Sequence, residues 1–69
     1  MDARIVEIVG RMHVARITGQ MLAEESGYNA SYVSEVLNGK RGTDKTSQRL
    51  LDALTRLEAK QAEMKAAQS

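Results

Sequence analysis

Positive charge in this chain is concentrated in one stretch. Between residues 40 and 49 lie Lys40, Arg41, Lys45 and Arg49, against the single acid Asp44. Elsewhere acids match or outnumber bases: residues 1–39 hold Arg4, Arg11 and Arg16 against Asp2, Glu7, Glu24, Glu25 and Glu35, and residues 50–69 balance. Such a cluster fits contact with a phosphate backbone, or equally a solvated loop that keeps the protein dispersed. The formal net charge of +1 does not choose between them. The residues just before the cluster add information. At helical spacing, Val33, Val36 and Leu37 form one apolar stripe, while Ser31, Glu35 and Asn38 lie on the opposite side, flanked by Tyr32 and Ser34. A rod with one greasy face and one hydrogen-bonding face therefore runs directly into a basic loop.

Other chemistries find little support. There is no cysteine and a single histidine, His13. That leaves no disulfide framework, no cysteine zinc site and no second imidazole for a metal. No Ser-His-Asp arrangement follows from one histidine, and no glycine-rich phosphate loop is present. A domain of this size rarely builds a substrate pocket, so neither catalysis nor a cofactor is expected. Proline is absent and the aromatic residues are two tyrosines; the abundance of Ala, Leu, Glu, Lys, Arg and Gln favours helices over strands. The 69 residues suffice for one domain with a modest core, marginally stable alone. The apolar runs are too short to span a membrane, and Met1-Asp2-Ala3-Arg4 does not open a secretion signal. A cytoplasmic protein is the expectation.

The elements that must position the polar face can be placed from local signals. Ile5, Val6, Ile8, Val9 and Met12 predict a first helix over 2–14. Gly10 weakens it by about 1 kcal/mol relative to alanine, and marks either close packing or a kink. Thr18 can cap a second helix, 19–26, with Leu22 and Ala23 inward and Gln20, Glu24 and Glu25 outward. Gly27 supplies the left-handed conformation that stops it. Asn29 caps a third helix ending near Asn38, where Gly39 repeats the role of Gly27. Thr43 can cap a long last helix of about 44–65, with Leu50, Leu51, Leu54, Leu57 and Met64 as its apolar positions; residues 66–69 are expected to fray.

Two short helices joined by a tight glycine turn match a helix-turn-helix, and generic helical hairpins too. The residues from Ile17 to Arg41 add detail. A Thr precedes the first of these helices, Leu22-Ala23 lies inside it, Gly27 is at the turn, Val33-Ser34 is in the second helix, and Asn38-Gly39-Lys40 closes it. This pattern resembles the phage-repressor and Cro type of helix-turn-helix, the lambda-repressor-like family. It also resembles the DNA-reading headpiece of the lactose-repressor type, whose next helix begins with a pair similar to Lys45-Thr46. The resemblance covers roughly residues 17–57. It implies an all-α fold of four or five helices with the helix-turn-helix at about 18–38, and sequence-specific binding of double-stranded DNA by a small repressor-type transcriptional regulator.

Carried over residue by residue, the resemblance assigns base reading to Asn29, Ala30, Ser31, Tyr32 and Glu35. Ser31 can donate or accept, Ala30 can touch a thymine methyl, and Glu35 can accept from a cytosine amino group. It assigns phosphate contact to Thr18, Gly19 and Gln20 at a helix N-terminus, and to Asn38, Lys40 and Arg41, with Lys45 a further candidate. Plainer roles stand beside these. Thr18 and Asn29 can be caps alone, Tyr32 can cover the core edge, and Glu35 can pair with Lys40 or Arg41. Gly19 departs from the family, in which glutamine is common at that position. A protein-interaction module, such as an antitoxin or adaptor, is the alternative use of the same helices. Finally, Leu50, Leu54, Leu57, Gln61 and Met64 recur at spacings of three and four, a short seam suited to a homodimer. Closure of the monomer core is expected to account for Leu50 to Leu57, leaving Met64 and the length of the helix beyond the core to argue for a partner.

Overall fold

The computed structural model describes residues 2–68, with side chains through Met64. Four helices succeed one another: α1 (Ala3–Ala15), α2 (Gly19–Ser26), α3 (Ala30–Leu37) and α4 (Asp44–Gln68). The chain is all-helical, with no strand among the described residues. No helix among them is long and apolar enough to cross a membrane. The last helix extends to Gln68, beyond its expected end near residue 65. Ser69 lies outside the described residues.

Local chemistry sets the boundaries. Asp2, Thr18 and Asn29 accept hydrogen bonds from the backbone N–H groups of Arg4, Met21 and Ser31, each satisfying a donor that the first helical turn leaves without a partner. Thr43 does the same for Thr46 at the start of α4 (3.2 Å). Gly27 (φ 83°) and Gly39 (φ 78°) adopt the left-handed conformation at the ends of α2 and α3. The end of α1 has no glycine. Arg16 takes the same conformation there (φ 58°), and the Ile17 N–H reaches back to the Met12 carbonyl at 2.9 Å. Burial of Ile17 holds that turn closed.

α4 is the spine. It packs against α1 on one side and α2 on the other, while α3 rests on α2 and meets α1 at its edge. Leu50, Ala53 and Leu54 of α4 close on Ile5, Ile8 and Met12 of α1, Leu22 and Ala23 of α2, and Val33 and Val36 of α3. The first helix forms where the periodic pattern places it. Of that pattern Val6 and Val9 are 58% and 45% exposed, because the neighbouring helices cover only the arc bearing Ile5, Ile8 and Met12. Gly10 does not mark close packing: the helix continues through it, and nothing lies within 4 Å of where a Cβ would stand.

Ion pairs tie the helices together at the rim. Arg11 bridges Glu7 on its own helix and Glu58 of α4, and Arg4 bridges Asp2 and Asp44. Glu25, expected to face water, turns instead toward α4, where Arg56 and Lys60 meet it. Hydrogen bonds from those cations hold the Glu25 and Glu58 carboxyls below the usual glutamate range. Asp2 is lowered by the backbone N–H of Arg4 and then by its guanidinium.

Two glycines predict opposite outcomes. At Gly42 (φ 115°) an added Cβ would stand 3.1 Å from Cγ1 of the buried Val36. Gly42→Ala is therefore expected to cost about 1–3 kcal/mol from backbone strain and overpacking. Gly10→Ala, in open space within a helix, is expected to stabilise by up to about 1 kcal/mol. Urea denaturation of both variants measures the difference, and a Gly10→Ala protein less stable than its parent would contradict this account of α1.

Candidate nucleic-acid interface

The outer face of α3 exists because its inner face is committed. Val33 and Val36 are 0% and 1% exposed, and Leu37 packs half-buried beside them. An eight-residue helix anchored by those side chains presents Ala30, Ser31 and Ser34 to solvent. Asn29, exposed at its start, uses Oδ1 to accept from Ser31 N–H at 2.7 Å, which leaves its amide NH2 outward.

Two of the expected base readers are engaged within the fold. The Tyr32 hydroxyl lies 3.1 Å from Thr46 Oγ1, and its ring meets that of Tyr28 with centroids 5.2 Å apart. Tyr32 thus ties α3 to α4 and covers the core edge, with its hydroxyl engaged inside the fold. The Glu35 carboxylate sits 2.6 Å from Arg41 Nε, the ion pair anticipated as one of its alternatives. Backbone geometry brings them together. The Lys40 N–H donates to the Glu35 carbonyl at 2.9 Å and the Gly39 N–H to Val36 at 3.0 Å, so the chain after α3 folds back along the helix end.

The expected phosphate contacts fall at two places. Thr18, Gly19 and Gln20 form the N-terminus of α2, with Thr18 and Gln20 exposed. Thr18 Oγ1 accepts from Met21 N–H, which leaves its own proton free to donate. The Gly19 and Gln20 N–H groups precede the first intrahelical bond, which Leu22 makes to Thr18. Asn38, Lys40, Arg41 and Lys45 lie after α3, all exposed. The Asn38 amide donates to the Ser34 carbonyl at 2.8 Å and so also closes the end of α3.

Charge pairing sorts the cations. Arg4, Arg11, Arg56 and Lys60 are spent on contacts between elements, and Arg41 is held by Glu35. Among the described residues, Arg16, Lys40, Lys45 and Arg49 have no carboxylate partner. Three of these four come from the basic stretch. Arg49 was not among the expected contacts. Its guanidinium stands 5.3 Å over the ring of Tyr28, in the turn between α2 and α3. The signal available in the sequence was its place one turn after Lys45 on the same face of the last helix.

The seam proposed for pairing is largely used within the monomer. Leu50 and Leu54 are fully buried, Leu57 packs against the core, and Gln61 donates to the Ala15 carbonyl at 3.0 Å. Met64 is 62% exposed.

No protein-family model, curated protein or solved structure matches this chain.

Removing the Tyr32 hydroxyl tests its tie to α4. Tyr32→Phe is expected to lower stability by about 1 kcal/mol, measured by urea denaturation, with Thr46 still bonded to Thr43. Unchanged stability would show that the hydroxyl is free for another partner.

Proposed function

We propose that this chain is a sequence-specific binder of double-stranded DNA, a small transcriptional regulator of the phage or mobile-element repressor type. In this proposal α2 and α3 act as a lambda-repressor-like helix-turn-helix, and α3 lies in the major groove. One observation carries it: the face of α3 opposite Val33 and Val36 is open to solvent, and unpaired cations stand just beyond its end. A helix with a polar outer face of Asn29, Ala30, Ser31 and Glu35 has the width and the hydrogen-bonding groups for a major groove. The N-terminus of α2, with Thr18, Gly19 and Gln20, would take a phosphate through free N–H groups. Asn38, Lys40, Arg41 and Lys45 would hold the backbone beyond α3, with Arg41 exchanging Glu35 for phosphate. Tyr32 would contribute ring contact at the edge of the read surface.

The decisive experiment is selection of bound duplexes from a random pool, followed by a salt titration on the selected sequence. A consensus whose affinity falls steeply with salt supports the proposal, because phosphate contacts release counterions. Substitutions separate the roles. Ser31→Ala is expected to weaken the selected duplex by about 1–3 kcal/mol while leaving unrelated DNA nearly unaffected. Arg41→Ala is expected to weaken every duplex and to reduce the salt slope by about 1. Identical effects of both on all duplexes would remove the division into reading and holding residues.

A second reading has its own observation. Val6, Val9 and Val14 are 58%, 45% and 84% exposed along α1, and Met64 is exposed at the far end of α4. Uncovered apolar side chains of this kind favour a protein partner, as in an antitoxin or adaptor. The same side chains suit self-association, with Met64 of α4 and Val14 flanking one groove beside Gln61. In the DNA-binding proposal such a homodimer would match a two-fold operator. Sedimentation equilibrium is expected to show a dimer that Met64→Lys disperses; a monomer at high micromolar concentration would exclude pairing through this face.

A further inference from the structure

We infer that Arg49, held over Tyr28, and Lys45 one turn before it form a second phosphate-binding edge on α4, gripping the DNA strand that passes the turn between α2 and α3. This rests on the DNA-binding proposal, which already gives Lys45 a phosphate, and extends it along α4 to Arg49.

The placement begins with helical geometry. Lys45, Arg49, Arg56 and Lys60 fall on one side of α4. The row is divided by α2. Its distal half meets Glu25, which both Arg56 and Lys60 contact. Its proximal half meets no acid: Lys45 and Arg49 have no carboxylate partner among the described residues. The nearby acids are already engaged. Asp52 accepts from Gln48 Nε2 at 3.0 Å, and Asp44 pairs with Arg4. Two free cations one turn apart therefore stand together, separated along the axis by about 6 Å at 1.5 Å per residue.

Arg49 is also shaped for the task. Its guanidinium rests 5.3 Å above the Tyr28 ring, and one of its terminal nitrogens lies 4.0 Å from where a Cβ on Gly27 would stand. Tyr28 is braced in turn by the Tyr32 ring. The contact with the ring restrains a long side chain that is otherwise exposed, and a guanidinium can grip a phosphate with two parallel bonds. Tyr28 acts through Arg49 and is a positioning residue. Because the turn at Gly27 and Tyr28 leads directly into Asn29, Arg49 stands beside the end of α3 opposite to Lys40 and Arg41. The recognition helix would then be held to the backbone at both ends, which fixes its angle in the groove.

The test is fluorescence-anisotropy titration of duplex DNA over a salt series, with helicity and melting of each variant checked by circular dichroism. Arg49→Ala is expected to weaken all duplexes by roughly three- to tenfold and to make the salt slope shallower by about 0.9. Arg49→Lys keeps the charge and is expected to keep the slope while losing part of the affinity. Tyr28→Phe is expected to match the parent. Tyr28→Leu is expected to weaken binding in the parent and to have no effect when Arg49 is already alanine. Arg56→Ala, which removes a cation spent on Glu25, is expected to leave the slope unchanged. A folded Arg49→Ala protein with the parent's affinity and slope overturns this inference and leaves the DNA-binding proposal standing. A parent chain that binds no duplex at low salt overturns both.

Discussion

Two of the four helices are eight residues long, too short to persist in water by their own hydrogen bonds. Their existence and their mutual angle depend on what lies beneath them. α4 provides that support: Leu50, Ala53 and Leu54 form a continuous buried strip, against which α2 lies directly, and α3 rests on α2. The outer face of α3 is set by this arrangement. Val33 and Val36 cannot turn outward without exposing apolar surface worth a large part of the stability of so small a domain. Ala30 and Ser31 therefore cannot turn inward. The polar face is a consequence of the core.

The same division orders the charges. Acids are distributed so that α1, α2 and α4 are laced together at their rims by Arg11 with Glu58 and by Glu25 with Arg56 and Lys60. Pairs at the rim of the fold such as these, partly open to solvent, add modestly to stability individually, but they consume charge locally. What remains unconsumed is confined mostly to the residues after α3 and the first turns of α4. A net charge near zero thus hides a polarised surface, which is why the overall balance of bases and acids says so little about a possible polyanionic partner.

How much of this was legible in the sequence depends on the range of the interaction involved. Thr18, Asn29, Thr43, Gly27 and Gly39 act on groups within a few residues of themselves, and each does what its type and position indicated. The helices follow closely from those signals. Arg16 ends α1 without the glycine that would have announced it, because burial of Ile17 enforces the turn. Val6 and Val9 fit the periodicity of a buried face, but periodicity does not tell how wide an arc the neighbours will cover. Glu25 reaching Arg56, Tyr32 reaching Thr46 and Arg49 reaching Tyr28 all join residues far apart in the chain. Such contacts are set by how helices cross, which side-chain spacing within one helix does not encode. In the candidate site, the caps, the exposed positions and the place of Tyr32 at the core edge were readable, and the bond of Tyr32 to Thr46 and the arrival of Arg49 were not.

Glu35 is the residue on which the proposed interface is most finely balanced. A carboxylate facing a polyanion is repelled, and its presence on the outer face of α3 calls for a reason. The contact with Arg41 at 2.6 Å supplies one: in the free protein the charge is neutralised by the residue that would later hold phosphate. Both partners are substantially exposed, 43% and 65%, and exposed pairs are worth under about 1 kcal/mol. Arg41 can therefore leave for a phosphate at small cost. Once it has gone, Glu35 is uncompensated unless the base opposite offers an amino group, as cytosine does in the major groove. Arg41 would then weaken no sequence by its departure, while Glu35 would penalise every duplex lacking that donor. On the proposed function, a side chain ill suited to affinity becomes a means of rejecting the wrong sequence, since specificity is a difference between affinities and repulsion contributes to it as well as attraction.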